Sequence, residues 1–123
     1  MNGIVRILAV TSCVSFAACM RHGGYEPRVE GGDPERGRAA IAELECGACH
    51  RIPGVPGAWG QVGPPLDEYS RYVYVAGQAP NVPDVLVRFV RDAPSIAPDT
   101  AMPAIEMTEA QAHDIAAYLY SLK

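Results

Sequence analysis

Apolar positions recur with a helical period in three parts of this chain, and the stretches between them have no period at all. Asp33-Pro34-Glu35 is a helix start: the Asp side chain can accept the first free amide protons, and Pro suits the first helical position. Gly37, Ala40, Ile41 and Leu44 then form one stripe. Val82, Leu86, Phe89 and Val90 mark a second amphipathic helix, with Asn81 and Pro83 at its start and Asp92-Ala93-Pro94 at its end. Thr108-x-x-Gln111 has the capping-box pattern and opens a third helix, with Met107 as its hydrophobic staple. Ala112, Ile115, Ala116, Leu119 and Leu122 make the stripe of that helix, while His113 and Asp114 fall away from it, which puts His113 in solvent. The period therefore predicts an all-α domain with helices over about 34–46, 83–92 and 109–122.

The connections are long and carry many of the eleven Pro and twelve Gly residues. Loops send few apolar side chains inward, so a 123-residue chain built this way has room for one domain but only a marginal core of its own. Gly37 weakens an isolated helix by about 1 kcal/mol, so it marks either a close approach by another element or a tolerated surface glycine.

The amino-terminal part reads differently. Positions 1–18 carry one positive charge, Arg6, and an apolar run too short to span a membrane, as in a signal peptide. Phe16-Ala17-Ala18-Cys19 resembles a bacterial lipobox, which implies cleavage before Cys19 and lipidation of that residue; an ordinary signal peptide cut after Ala18, or an unprocessed anchor, is the alternative. Residues 19–32 then form a glycine-containing tether with a reach of about 20 Å. Acyl chains on Cys19 would hold the domain 33–123 at a membrane, since each buried methylene contributes about 0.8 kcal/mol. The full chain has a net charge of −4, and loss of the leader makes it one unit more negative. No basic run is present, which argues against a nucleic-acid partner.

Cys46-Gly47-Ala48-Cys49-His50 is the motif the domain is built around, and it reads as a site of covalent haem attachment. The two thiols lie one helical turn apart and can reach the same porphyrin edge, while His50 turns its imidazole toward the iron. A redox dithiol would not need the histidine and would follow a strand. A zinc site would need a second cysteine pair, and adjacent Cys49 and His50 are hard to aim at one ion.

That motif followed by Gly63-Pro64-Pro65-Leu66 resembles the class I c-type cytochromes. The resemblance covers roughly 33–123 and implies the cytochrome c fold, with long loops wrapped around one covalently bound haem c. It implies that the Pro64 carbonyl orients His50 and that Leu66 walls the histidine side. Met102, in Thr100-Ala101-Met102-Pro103, stands where the family places the sixth ligand, with Met107 the less suited candidate. Arg71 stands where an arginine often faces the propionates; Trp59, Tyr72 and Tyr74 are further candidates, and a solvated Arg71 is the plain alternative. The terminal helix of the family crosses the first at a glycine, a role that would fall to Gly37.

Two protein ligands fill six-coordinate iron, so the implied chemistry is electron transfer without substrate binding. The expected protein is an exported, lipid-anchored, monomeric electron carrier on the periplasmic side of a bacterial membrane, with protein redox partners. A haem-bearing subunit of a dehydrogenase or terminal oxidase complex is the second reading, and a sensor in which Met102 leaves the iron is the third.

Overall fold

The computed structural model describes residues 26–123, so the leader and Cys19 lie outside the described residues. Three helices, α1 (Pro34–Glu43), α2 (Pro83–Arg91) and α3 (Glu109–Ser121), carry the domain. Short 3-10 turns occupy Cys46–Ala48, Tyr69–Arg71 and Ala93–Ser95. The all-α expectation holds, with one addition: a two-stranded antiparallel ribbon of β1 (Tyr74–Val75) and β2 (Ala79–Pro80). Its turn closes with the Gln78 N–H on the Val75 carbonyl, and Ala76 and Gly77 both have positive φ, which matches the twist of a tight hairpin.

Two helix starts follow the sequence. The Asp33 side chain accepts the Arg36 N–H at 2.8 Å, and both halves of the Thr108/Gln111 capping box are formed. At α2 the arrangement differs. Val82 occupies the cap position without a side-chain bond, while Asn81 is buried and used elsewhere. Its amide donates to the Tyr72 carbonyl at 2.8 Å, and its Oδ1 accepts the Tyr120 hydroxyl at 2.9 Å, tying the ribbon to α3. The first helix also ends earlier than position 46: Leu44 caps it and Glu45 turns left-handed at φ 55°. A left-handed residue other than glycine costs on the order of 1 kcal/mol, and the sequence gives no glycine or proline there to announce the break. The break redirects the chain, so Cys46 opens a separate turn.

The core forms where α1 crosses α3. Gly37 is buried, and a Cβ built on it would overlap the Asp114 carbonyl, so the two backbones are in contact. Ala40 and Ile41 of α1 share one buried cluster with Ala112, Ile115, Ala116 and Leu119 of α3, and Leu86 and Val90 of α2 join it. Phe89 packs against the cluster half-buried.

Asp114 shows what the helical wheel missed. It lies off the apolar stripe, yet its side chain is only 8% exposed. Its carboxylate accepts the Asp33 N–H at 2.7 Å and the Arg36 Nε and Nη2 at 2.8 and 2.9 Å. The Arg36 hydrogen bonds hold the Asp114 carboxyl below its ordinary range, against the opposing effect of burial, with help from the Asp33 amide. His113 is half-buried rather than free in solvent, with Nδ1 2.9 Å from the Glu30 carbonyl.

Packed structure begins ahead of Asp33, inside the segment the sequence assigned to the tether. Val29 is buried in the core, and Gly32 lies so close to α3 that a Cβ there would overlap the His113 carbonyl. Lys123 pairs with Glu26. One valine is enough for this docking, and one valine makes no period.

Gly37→Ala is expected to lower the unfolding free energy by about 2 kcal/mol or more in urea titrations, because the added methyl must separate two backbones. Asp114→Asn should cost about 1–3 kcal/mol at pH 7. A depressed carboxylate stabilises the fold above its unfolded pKa of about 4 and loses that contribution as pH falls through its lower folded value. The gap between wild type and Asp114→Asn in pH-dependent melts should therefore close on the acid side.

Candidate functional site

Cys46 and Cys49 sit on one 3-10 turn as free thiols, Cys46 half-buried and Cys49 exposed. Burial pushes the Cys46 thiol up, a backbone hydrogen bond opposes this, and neighbouring Cys49 adds to the rise. The His50 N–H donates to the Cys46 carbonyl at 3.0 Å, which fixes where the histidine leaves the turn.

The Pro- and Gly-rich segment after His50 folds back onto the motif. Ile52, Val55 and Ala58 are buried, and turns with positive φ at Gly54 and Gly57 bring them together. Arg51 and Trp59 form an antiparallel bridge, and the Tyr118 hydroxyl of α3 donates to the Pro53 carbonyl. Sequence reasoning missed this small apolar core. The signal was present as Ile52-x-x-Val55-x-x-Ala58, one small apolar residue every third position between prolines and glycines.

The returning chain positions the imidazole. His50 Nδ1 lies 2.7 Å from the Pro64 carbonyl. A carbonyl oxygen only accepts, so Nδ1 carries the hydrogen, and in the neutral ring Nε2 keeps its lone pair for a metal. Gly63 makes the contact possible, since a Cβ there would overlap the imidazole. A Cβ at Gly60 would likewise overlap the backbone joining Cys49 to His50. Leu66 is anchored by its N–H on the Arg51 carbonyl at 2.9 Å and packs half-buried on the core. Arg51 Nη2 reaches Asp67 at 2.7 Å and closes the base of the excursion.

The remaining candidates lie on other elements. Met102 is half-buried on the connection between α2 and α3, with its N–H on Thr100 Oγ1 at 3.2 Å. That connection is held by the Asp92–Ala104 bridge and by the Ile105 N–H on the Arg91 carbonyl at 2.8 Å. Met107 packs against the core beside the cap of α3. Arg71 pairs with Glu68 at 3.0 Å and its side chain is 69% exposed. It lines a cavity of about 340 Å³ shared with Pro27, Tyr72, Val82 and Tyr120, and no residue of the Cys46–His50 turn lines that cavity.

The donor set suits a covalently attached haem. Two free thiols share a turn, one histidine has its Nε2 released for ligation, and a missing Cβ leaves its ring room. Among the described residues no cluster of three or more His, Cys, Asp or Glu is placed to hold a bare metal ion, and no helix is long and apolar enough to cross a membrane.

Residues 34–123 match the family model described as Cytochrome c. Among solved structures, cytochrome c2 from Rhodobacter sphaeroides is similar with a TM-score of 0.55 and 23% identity, covering 74% of this chain and 96% of that one. At that identity the likeness concerns the fold. No curated protein sequence matches significantly.

Gly63→Ala is expected to push the imidazole off the Pro64 carbonyl. Losing a hydrogen bond of about 1 kcal/mol should speed exchange of the His50 Nδ1 proton roughly 5-fold or more, measured by NMR.

Proposed function

The chain belongs to the cytochrome c family, and on that premise we propose that it is a membrane-tethered, single-haem carrier that moves one electron at a time between protein partners on the periplasmic side of a bacterial membrane. Bound covalently at Cys46 and Cys49, a haem supplies an iron that takes up and gives back one electron. In this reading His50 and Met102 would hold the iron. The observation that carries it is the His50–Pro64 hydrogen bond, which fixes the tautomer needed for ligation through Nε2 and makes the ring a stronger donor.

Each further residue has a task that follows from where it sits. Gly63 gives the ring its slot, and Pro64 holds its orientation. Leu66, half-buried against the core, would exclude water on the histidine side. Leu44, Val85, Val87 and Phe89, half-buried beside the core, supply apolar surface of the kind a porphyrin would cover. Arg71 is the candidate for a propionate, at the cost of its pairing with Glu68. The sequence holds one Cys-x-x-Cys-His motif, which supports a single haem. Lipidation at Cys19 and a monomeric state complete the proposal. Were His50 and Met102 both to hold the iron, no position would stay open to an outside ligand, which favours the carrier reading over ligand sensing.

Absorption spectra of the membrane-extracted protein, oxidised and reduced, test this reading. A c-type α-band should appear on reduction, and the reduced protein should not bind carbon monoxide at neutral pH. Met102→Ala should open the sixth position, so that carbon monoxide binds and the potential falls, because a thioether favours the reduced ion. An unchanged spectrum and potential in Met102→Ala would remove Met102 from the ligand set. Cys19→Ser should shift the protein from the membrane fraction to the soluble fraction.

A further inference from the structure

We propose that the domain rests on the lipid bilayer with one face, the apolar rim of Val73, Pro80 and Val82 next to Pro27, and that the surface it meets is the headgroup region of phospholipids. The inference rests on the reading that Cys19 carries the anchor.

The segment ahead of α1 decides which face comes near the membrane. It runs along α3 against the direction of that helix: Glu26 pairs with Lys123 beyond the helix end, the Glu30 carbonyl meets His113 in its first half, and Gly32 lies against His113 and Ala117. Val29 is buried in the core between these points, so the segment is fastened along its length. The lead from the lipid is therefore the stretch from Cys19 to Glu26, seven residue steps, which span at most about 25 Å. A domain of this size is roughly 30 Å across, so the side remote from Glu26 stays out of reach of the bilayer. A lead counted to Asp33 would span about 50 Å and would allow any face.

What stands beside this exit is apolar. Pro27 lines the cavity of about 340 Å³ together with Val73, Pro80 and Val82. Val73 is 73% and Val82 38% exposed. Asn81 makes the rim rigid, since its backbone N–H donates to the Val73 carbonyl at 2.9 Å while its side chain is held inside. From Tyr72 to Pro83 the chain has no charged residue. The charges that flank the rim are paired, Arg71 with Glu68 and Lys123 with Glu26. Such a rim is drawn to the boundary between headgroups and acyl chains by burial of apolar area, and it needs no anionic lipid. The anchor keeps it at high local concentration, so a contact too weak to hold a free domain suffices. No residue of the Cys46–His50 turn lines this cavity, so the face is distinct from the attachment turn.

Hydrogen exchange on the haem-loaded mature chain, residues 19–123, tests this. With Cys46 and Cys49 taken up by the haem, Cys19 is the free thiol and can be coupled to a maleimide phospholipid in phosphatidylcholine vesicles, which installs an anchor there whatever the cell attaches. Amides of residues 72–82 should exchange at least about 5-fold more slowly on the vesicles than in the same chain capped with N-ethylmaleimide, while residues 52–63 keep their rates. The slowing should persist from roughly 0.02 to 0.5 M salt, a range over which exposed charges become strongly screened. Val73→Asp should abolish it with exchange in α1 and α3 unchanged, and Val73→Leu should keep it. Equal exchange of residues 72–82 on and off the vesicles, slowing confined to another face, or slowing lost at high salt would overturn the proposal. Slowing that grows with protein density on the vesicles would also overturn it, because that marks contact with a second copy. Recovery of the native protein from cells in the soluble fraction would instead sink the anchoring reading itself.

Discussion

The contact between the backbones of α1 and α3 at Gly37 is the constraint from which the rest of this fold follows. Without a Cβ at that position the helices approach closely enough for α1 to meet the Asp114 carbonyl directly. The approach takes Asp114 out of water, and a buried carboxylate must be satisfied. It is satisfied by the first turn of α1, through the Asp33 amide and the Arg36 guanidinium. The same carboxylate therefore fixes the angle of the crossing and completes the start of α1. Gly32 makes a second close approach to α3, on the segment that leads into α1.

The crossing also determines where the attachment turn lies. α1 ends at the left-handed Glu45 and delivers Cys46 and Cys49 on a separate turn, clear of the regular helix. The following excursion is a small core of Ile52, Val55 and Ala58, fastened to α3 by Tyr118. Its return brings Gly60 and Gly63 onto the motif, so the imidazole is clamped between its own backbone and the Pro64 carbonyl. Rigid support of this kind suits electron transfer, since groups that do not move keep reorganisation small.

Much of this was legible in the sequence. The three apolar periods located the helices to within a few residues, and Asp33 and Thr108 announced two of the three starts because capping is a local matter of one side chain and a few amides. The Cys-x-x-Cys-His run placed both thiols and the imidazole on one turn because so short a spacing leaves them no other arrangement. The end of α1 was not legible, since the left-handed conformation of Glu45 runs against a glutamate's own preference. Asn81 looked like a helix cap but serves as a buried link between the ribbon and α3. The wheel assigned Asp114 to the polar side, and it is buried all the same.

The sequence by itself determined the elements and the sharing of one turn by Cys46, Cys49 and His50, because helical period, caps and the cysteine-histidine spacing depend only on residues a few positions apart. Tertiary structure alone decided which polar groups are buried, that the packed chain begins ahead of Asp33, and that Gly63 and Pro64, more than a dozen positions from the histidine, grip its ring. Those outcomes turn on distances between segments that are remote along the chain. A close approach of two backbones leaves no periodic trace in either of them.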